Sequence, residues 1–291
     1  MFFGSIPALV TPFSGNCVDE DSLRALVDWQ IAEGSNGLVP CGTTGESATM
    51  THAEQRRVIE ITVEVAAGRV PVIAGCGSNS VAVSLEHIRA AEDVGADAAL
   101  VVMGYYNRPS QAGMIAAFRA LSEASPLPII VYNIPARAVI DISNDSMAEI
   151  AKLPNVVGVK DATGNLGRVS AQRLACGEDF IQLSGNDDMA LGFNAMGGVG
   201  CISVSANVAP KLCSDFQAAT REGRWDDALK LQDRLYPLHA ALFTDASPGP
   251  AKYALSRVRP GFPTALRLPL TDASDTSKRA VDQALEHAGL I

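Results

Sequence analysis

Lys160 is the residue of this sequence that points most directly to chemistry. It closes the short apolar run Val156–Val159 and is followed by the polar, glycine-containing segment Asp161–Asn165. A β-branched run between turn signals predicts a buried strand, so the amine should stand at the carboxyl end of that strand, over a largely dry pocket. Burial disfavours the ammonium form, and a neutral amine can attack a carbonyl to form a Schiff base. The alternative interpretation is a strand-end lysine whose amine simply reaches water.

Other side chains with reactive or donor groups follow further apolar runs along the chain. They lie in the segments Cys41–Ser47, Gly104–Pro109, Tyr132–Arg137 and Ser184–Asp187. Taken singly, each has a structural explanation, such as a tight turn, a core aromatic or a surface ion pair. We favour one shared site, because no packing rule requires so many polar strand ends at the same edge.

The residue types in these segments are suited to a small carboxylic substrate. Gly42 and Gly45 allow backbone N–H groups to approach a ligand closely, and the two threonines between them add hydroxyl donors. Tyr132 can donate and accept a proton while an imine forms. Arg137 can hold a second carboxylate through a bidentate pair.

The fold class follows from eight apolar runs that alternate with amphipathic helical patterns. The predicted strands are Ile6–Val10, Gly37–Pro40, Val70–Ala74, Ala98–Met103, Ile129–Tyr132, Val156–Lys160, Phe180–Leu183 and Gly200–Val204. This alternation predicts an α/β protein with a (β/α)8 TIM barrel, in which the chemistry lies at the carboxyl ends of the strands. A doubly wound sheet is the alternative, although the glycine-rich nucleotide loop that often follows its first strand is missing.

Helical patterns without comparable strands fill the chain from Pro210 onward. We therefore predict a catalytic barrel of residues 1–209 and a C-terminal helical domain of residues 210–291 that packs on it. The predicted helices of this extension are Lys211–Glu222, Trp225–Phe243, Pro250–Val258 and Thr276–His287.

Composition excludes several classes of partner. The chain has 291 residues, of which 47% are hydrophobic, and its net charge of −9 comes without any run of Lys or Arg. We therefore predict neither nucleic-acid nor membrane binding, and no apolar stretch is long enough to span a bilayer. Residues Met1–Phe13 lack the basic start of a signal peptide, and the six cysteines include no C-x-x-C pair. These features favour a cytoplasmic protein with reduced thiols.

The positions of the histidines and glycines in the sequence disfavour metal and cofactor chemistry. The histidines are scattered in the sequence and show no spacing typical of metal ligands. They are His52, His87, His239 and His287. The glycines of Gly197–Gly200 precede the last predicted strand, so we interpret them as a turn and not as a phosphate-binding loop. We predict no metal and no cofactor.

With these motifs in place, the chain resembles the dihydrodipicolinate synthase family, also called the 4-hydroxy-tetrahydrodipicolinate synthases, from Gly4 to Leu290. The motifs are typical of the wider group of pyruvate-dependent class I aldolases and less specific for the synthases within it. They are GTTGES at Gly42–Ser47, PVIAGCGSN at Pro71–Asn79, YYNRPSQ at Tyr105–Gln111, YNIPAR at Tyr132–Arg137, VGVKDATGN at Val157–Asn165 and LSGND at Leu183–Asp187.

The resemblance implies a lyase of lysine and diaminopimelate biosynthesis that condenses pyruvate with L-aspartate 4-semialdehyde. In that family Lys160 would form the Schiff base with pyruvate. Tyr132, Thr43 and Tyr106 would relay protons, with Tyr106 supplied by the neighbouring subunit of a tight dimer. The resemblance also implies a homotetramer built as a dimer of dimers.

The resemblance assigns substrate-binding roles to four further residues. Thr44 would hold the carboxylate of pyruvate, and Arg137, at the entrance, would bind the carboxylate of the aldehyde substrate. Gly185 and Ile202 would contribute backbone around the base of the site.

Two other functions remain open at this point. A sister aldolase or lyase uses the same lysine and tyrosine on a sugar acid, such as N-acetylneuraminate or a 2-keto-3-deoxy acid. Arg137 and the pair Tyr105-Tyr106 favour the synthase, since sialate lyases usually lack that arginine. The third possibility is a barrel kept for binding or regulation, against which the joint presence of the lysine and all three relay residues argues.

Regulation by lysine is expected to be weak or absent. In inhibited members of the family, lysine lies at the tight-dimer interface near the tyrosine that corresponds to Tyr105. Gln55 here replaces a histidine of that site, and Val83 replaces the glutamate that pairs with the lysine amine. Desolvating an ammonium without its counter-charge is unfavourable, so affinity should fall. The other residues that match the site are Ala48, His52 and Asn79.

Overall fold

The computed structural model describes residues 2–291, so Met1 of the predicted barrel range lies outside the described part. Seven of the nine strands form one parallel, curved sheet, and the other two form a short antiparallel hairpin. The strands are β1 (Gly4–Pro7), β2 (Phe13–Ser14), β3 (Cys17–Val18), β4 (Ile73–Gly75), β5 (Ala98–Val102), β6 (Ile129–Asn133), β7 (Val156–Asp161), β8 (Ile181–Ser184) and β9 (Gly200–Ser203). The order in the large sheet is β1-β9-β8-β7-β6-β5-β4.

The predicted strand Gly37–Pro40 is present only as a bridging segment, which corrects that part of the prediction. Val39 pairs with Ala8, and Leu38 pairs with Val72. The prolines at the end of this segment and before Val72 lack the N–H groups that a regular ladder needs, so the pairing stays short. The segment nevertheless connects the two edges of the sheet, β1 and β4, and closes the ring. The predicted fold class, an α/β barrel of the TIM type with C-terminal helices, is confirmed.

Helices cover the outside of the ring. The helix that begins at His52 carries a capping box, in which Thr51 Oγ1 accepts from the backbone N–H of Glu54 and the Glu54 carboxylate accepts from that of Thr51. The α-helices are α1 (Glu20–Ala32), α2 (His52–Ala66), α3 (Val81–Asp93), α4 (Gln111–Ala124), α5 (Pro135–Ala138), α6 (Asn144–Ala151), α7 (Gly167–Cys176), α8 (Ala190–Ala195), α9 (Pro210–Arg221), α10 (Trp225–Ala241), α11 (Gly249–Val258) and α12 (Asp275–Ala288).

Two apolar layers hold the barrel together. The outer layer lies between the strands and the helices, with large buried side chains such as Phe118 and Leu23. The inner layer takes side chains from every strand of the ring and from the bridging segment, so it fills the centre of the barrel. Its buried members are Ile6, Ala8, Val39, Ile73, Ala98, Leu100, Ile130, Tyr132, Ala162, Leu183 and Ile202.

The C-terminal extension begins with α9 at Pro210, and helices are its only regular secondary structure. Helix α9 packs against β1 of the barrel, α10 packs against α9 and α12, and α11 packs against α12. The division into a barrel of residues 1–209 and a domain of residues 210–291 stays a prediction.

Candidate active site

Lys160 and Tyr132 lie side by side on adjacent parallel strands. The register of β6 and β7 pairs these two residues directly. The Lys160 Nζ lies 4.1 Å from the centre of the Tyr132 ring, and the two residues are 6% and 8% exposed. The fold therefore brings together a buried amine, which can act as a nucleophile, and a phenol, which can exchange protons with an imine.

No carboxylate pairs with Lys160 within residues 2–291. Other lysines in this part of the chain do form ion pairs, namely Lys152, Lys211, Lys230 and Lys252. A buried amine that is not engaged in an ion pair is the arrangement expected of a nucleophile, and not of a structural lysine.

A buried polar network holds the carboxyl ends of β6 and β7. Asp161, the residue after Lys160, accepts from Arg168 Nε at 3.0 Å, and Arg168 also contacts Asp141 at 3.3 Å. Asn133, at the end of β6, donates to the same Asp141 at 2.8 Å. Sequence reasoning missed this network, although a charged residue directly after the strand-end lysine was a signal that could have indicated it.

Gly185 lies against the lysine stem at the end of β8. A Cβ atom at this position would stand 3.2 Å from Lys160 Cε and 2.7 Å from Ala162 Cβ, so only glycine fits without a shift. Its N–H donates to the Asp161 carbonyl at 2.7 Å. Ile202 is buried in β9 and belongs to the inner layer of the barrel. Gly185 thus follows β8 and Ile202 lies within β9, and the substrate-binding roles that the resemblance implies for them stay predictions.

The Gly42–Gly45 loop is a tight turn packed against the first strand. The Gly45 N–H donates to the Gly42 carbonyl at 3.1 Å, and Thr11 Oγ1 donates to the Gly45 carbonyl at 2.7 Å. Thr44 is buried, whereas Thr43 is exposed. The glycines therefore do serve as turn residues. This does not conflict with a binding site, because the same turn also carries the two threonines.

Strained backbone is concentrated at the mouth of the barrel. Five non-glycine residues of the mouth loops have positive φ, which L-residues adopt rarely. Val139, with φ of 63°, is the most unusual because it is β-branched. Such strain persists only where the surroundings hold it and is common at functional sites. The other four residues are Cys41, Glu46, Tyr106 and Arg108.

A cavity of about 400 Å³ opens beside the Gly42–Gly45 loop. Thr43, Tyr105 and Arg137 share its lining, while Lys160 and Tyr132 are buried outside it. Arg137 is exposed, and it takes part in none of the ion pairs formed by residues 2–291. An exposed guanidinium without a carboxylate partner at a cavity mouth can bind an anionic substrate.

Tyr106 is not brought to Tyr132 by this chain alone. Its ring is 90% exposed at the tip of the loop after β5, whereas the neighbouring Tyr105 faces the cavity. A large aromatic side chain held outside its own barrel is suited to contact with another molecule.

Two histidines that are distant in the sequence meet in the same cavity. The rings of His52 and His87 pack edge to face with centroids 4.5 Å apart. Burial, and next the neighbouring His52, lower the pKa of His87. The fold thus brings together residues that look scattered in the sequence. No cluster of three or more His, Cys, Asp or Glu side chains within residues 2–291 could hold a metal ion.

The comparisons with known proteins agree with this geometry. The sequence model of the dihydrodipicolinate synthetase family matches residues 1–288. The chain belongs to the dihydrodipicolinate synthetase family. This confirms the predicted family and the prediction that the protein is an enzyme of this family. None of the helices formed by residues 2–291 has the length and apolar character needed to cross a membrane.

Named relatives of the family are similar over their full length. The 4-hydroxy-tetrahydrodipicolinate synthases of Rhizorhabdus wittichii and Zymomonas mobilis are 64% and 62% identical to this chain, with 100% of each chain covered. The crystal structure of the chloride-inhibited dihydrodipicolinate synthase from Acinetobacter baumannii, in complex with pyruvate, superposes with a TM-score of 0.97. It is 41% identical, and 100% of each chain is covered.

Proposed function

We propose that this member of the family condenses pyruvate with L-aspartate 4-semialdehyde, as a 4-hydroxy-tetrahydrodipicolinate synthase, through a Schiff base on Lys160. The observation that carries the proposal is the buried Lys160 amine, which lies 4.1 Å from the Tyr132 ring centre and has no carboxylate partner within residues 2–291. The names of the full-length relatives support the same reaction. No cofactor takes part.

In this reaction the Lys160 amine acts first as the nucleophile and finally as the leaving group. Lys160 Nζ attacks the keto carbon of pyruvate, and water leaves to form the imine. Loss of a methyl proton gives the enamine, whose carbon attacks the aldehyde of the second substrate. The amino group of that substrate then attacks the imine carbon and displaces Lys160 as the ring closes.

Tyr132 and Thr43 move protons to and from the lysine adduct, and Tyr106 of a neighbouring subunit completes the relay. The exposed ring of Tyr106 supports this division between subunits. Mixing Tyr106→Phe subunits with Tyr132→Phe subunits should restore part of the activity, because one site of a mixed dimer then carries both tyrosines. Absence of recovery despite proven subunit exchange would contradict the shared site.

Substrate binding is divided between the base and the mouth of the barrel. Thr44 holds the carboxylate of pyruvate, and Gly185 and Ile202 supply backbone at the base. Arg137 binds the carboxylate of the aldehyde substrate, which its exposed, unpaired position at the cavity supports. The assembly is a homotetramer of two tight dimers. The six free cysteines favour the reducing cytoplasm as its location.

A steady-state assay tests the proposal directly. Purified enzyme should consume pyruvate together with L-aspartate 4-semialdehyde and should not cleave N-acetylneuraminate or a 2-keto-3-deoxy acid. Cleavage of a sugar acid without the condensation would establish the sister aldolase instead. Absence of both activities in folded protein would indicate a barrel kept for binding.

Feedback inhibition by lysine is proposed to be weak or absent. Val83 lines the cavity near Tyr105, where sensitive members of the family carry a glutamate. Without that counter-charge the ammonium of lysine would be desolvated beside an apolar side chain. Inhibition by sub-millimolar lysine in the same assay would contradict this proposal.

A further inference from the structure

An ion pair joins the Gly42–Gly45 loop to the C-terminal extension. Glu46, the residue directly after the loop, accepts from Lys252 Nζ of α11 at 2.6 Å. The two residues are 206 positions apart, and both side chains are 0% exposed. Neither side chain has a role in the proposed reaction.

Both side chains of this ion pair also form hydrogen bonds with backbone groups. The second oxygen of Glu46 accepts from the backbone N–H of Arg267 at 3.1 Å. Lys252 Nζ also donates to the Ala265 carbonyl at 2.7 Å and lies 4.5 Å from the centre of the Phe13 ring. The carboxylate is therefore fixed from two sides by the extension.

The Gly42–Gly45 loop needs contacts that hold it in place, because the backbone is strained at both of its ends. Cys41 and Glu46 flank the loop, and each has φ of 57° in the left-handed region. Within it, Gly45 packs so closely that a Cβ atom would lie 2.9 Å from the Leu9 carbonyl oxygen. A strained conformation of this kind persists only when contacts outside the loop hold it.

We propose that Glu46 and Lys252 are positioning residues, which hold Thr44 where it binds the carboxylate of pyruvate and Thr43 where it relays protons. This inference rests on the proposed roles of the two threonines. Stability alone does not account for the pair, since a buried ion pair can often be replaced by apolar groups without loss of stability. A carboxylate with two directional partners instead fixes where the loop stands.

The test is a double variant, Glu46→Gln with Lys252→Met, which leaves neither charge buried alone. If the pair positions the loop, the KM for pyruvate should rise about tenfold or more, while the KM for the aldehyde changes less than about twofold. Borohydride trapping of Lys160 at saturating pyruvate should persist, since β7 is untouched. A folded double variant with wild-type KM and kcat for pyruvate would overturn the proposal.

Two control variants separate this result from other causes. Arg257 lies on the same helix as Lys252, and Arg257→Met removes its partly exposed ion pair with Asp282 of α12, which should leave both KM values unchanged. Thr43→Val tests the proposed catalytic loop itself. A fully active Thr43→Val variant would contradict the proposed function of the loop. If Thr43→Val is impaired but the double variant has normal kinetics, only the positioning by Glu46 and Lys252 is refuted.

A second substitution keeps the test decisive if the double variant does not fold. Glu46→Asp keeps the charge but shortens the side chain by one methylene, so the loop must move toward α11 or the pair must lengthen. The KM for pyruvate should then rise about threefold or more in a folded protein. An unchanged KM would overturn the proposal.

Discussion

Lys160 and Lys252 are both buried lysines beside an aromatic ring, yet their polar partners differ. Lys160 Nζ lies 4.1 Å from the Tyr132 ring centre, and Lys252 Nζ lies 4.5 Å from that of Phe13. Lys252 also has a carboxylate at 2.6 Å and a backbone carbonyl at 2.7 Å, whereas no carboxylate pairs with Lys160 within residues 2–291.

The difference distinguishes a structural lysine, Lys252, from the lysine proposed to react, Lys160. Burial lowers the pKa of Lys252, and the neighbouring Glu46 opposes that shift. The Glu46 carboxylate and the Ala265 carbonyl engage two of the three protons of the Lys252 ammonium, and the Phe13 ring lies beside it, so an electrophile has no free approach to this amine. Burial and an aromatic neighbour are thus insufficient to define a Schiff-base lysine, and the missing counter-charge is the informative feature.

The largest effect is expected at Lys160. With pyruvate and borohydride, intact mass and peptide mapping should locate one reduced adduct on Lys160 and none on Lys252. Lys160→Met should lower kcat by about 10⁴-fold or more, as loss of a covalent nucleophile does in other enzymes. An adduct on Lys252, or on no lysine, would contradict the distinction drawn between the two amines.

The second largest effect on activity is expected at the aromatic ring beside Lys160. Tyr132→Phe keeps the ring beside the Lys160 amine and removes the phenol, so kcat should fall by about 10² to 10⁴-fold. The melting temperature should change little, because the apolar packing is retained. The matched control is Phe13→Tyr, beside Lys252, which should leave kcat unchanged in folded protein. If the Tyr132→Phe enzyme were fully active, the Tyr132 phenol would have no part in the proposed proton relay.

At Lys252 the expected effect is on stability. Lys252→Met leaves the buried Glu46 carboxylate without its counter-charge and should lower the free energy of unfolding by about 3–5 kcal/mol. Chemical denaturation measures this loss, and adding Glu46→Gln should recover most of it. A loss below about 1 kcal/mol in the single variant would mean that water or another group compensates for the charge.

The smallest effect is a pH dependence close to the second lysine. Hydrogen bonds from Arg267, whose guanidinium lies against Phe13, lower the pKa of Glu54 from 4.5 to about 2. The resulting stabilisation is fully present above the ordinary pKa of 4.5 and is lost as the pH falls toward 2. Glu54→Gln should therefore reduce the loss of unfolding free energy between about pH 5 and about pH 3. The same acid dependence in variant and wild type would show that other carboxylates govern it.

Local sequence patterns were sufficient for the barrel and for most positions of the site residues. Apolar runs of four to six residues and amphipathic helices are properties of neighbouring residues, and they placed Lys160 and Tyr132 at strand ends. In parallel strands the carboxyl ends meet at one edge, so their proximity followed without tertiary detail. The exception was Gly37–Pro40, where prolines in and beside the segment prevent a regular ladder.

Only the tertiary structure decided which polar residues pair across long stretches of chain. The Glu46–Lys252 ion pair, the Asp141–Arg168 contact and the meeting of His52 with His87 depend on how separate elements pack. No periodicity carries this information, because the free energy of a buried charge depends on every group around it and not on its neighbours in sequence. The sequence therefore determined where the lysines lie along the chain, and the packing decided which of them is held in a buried ion pair.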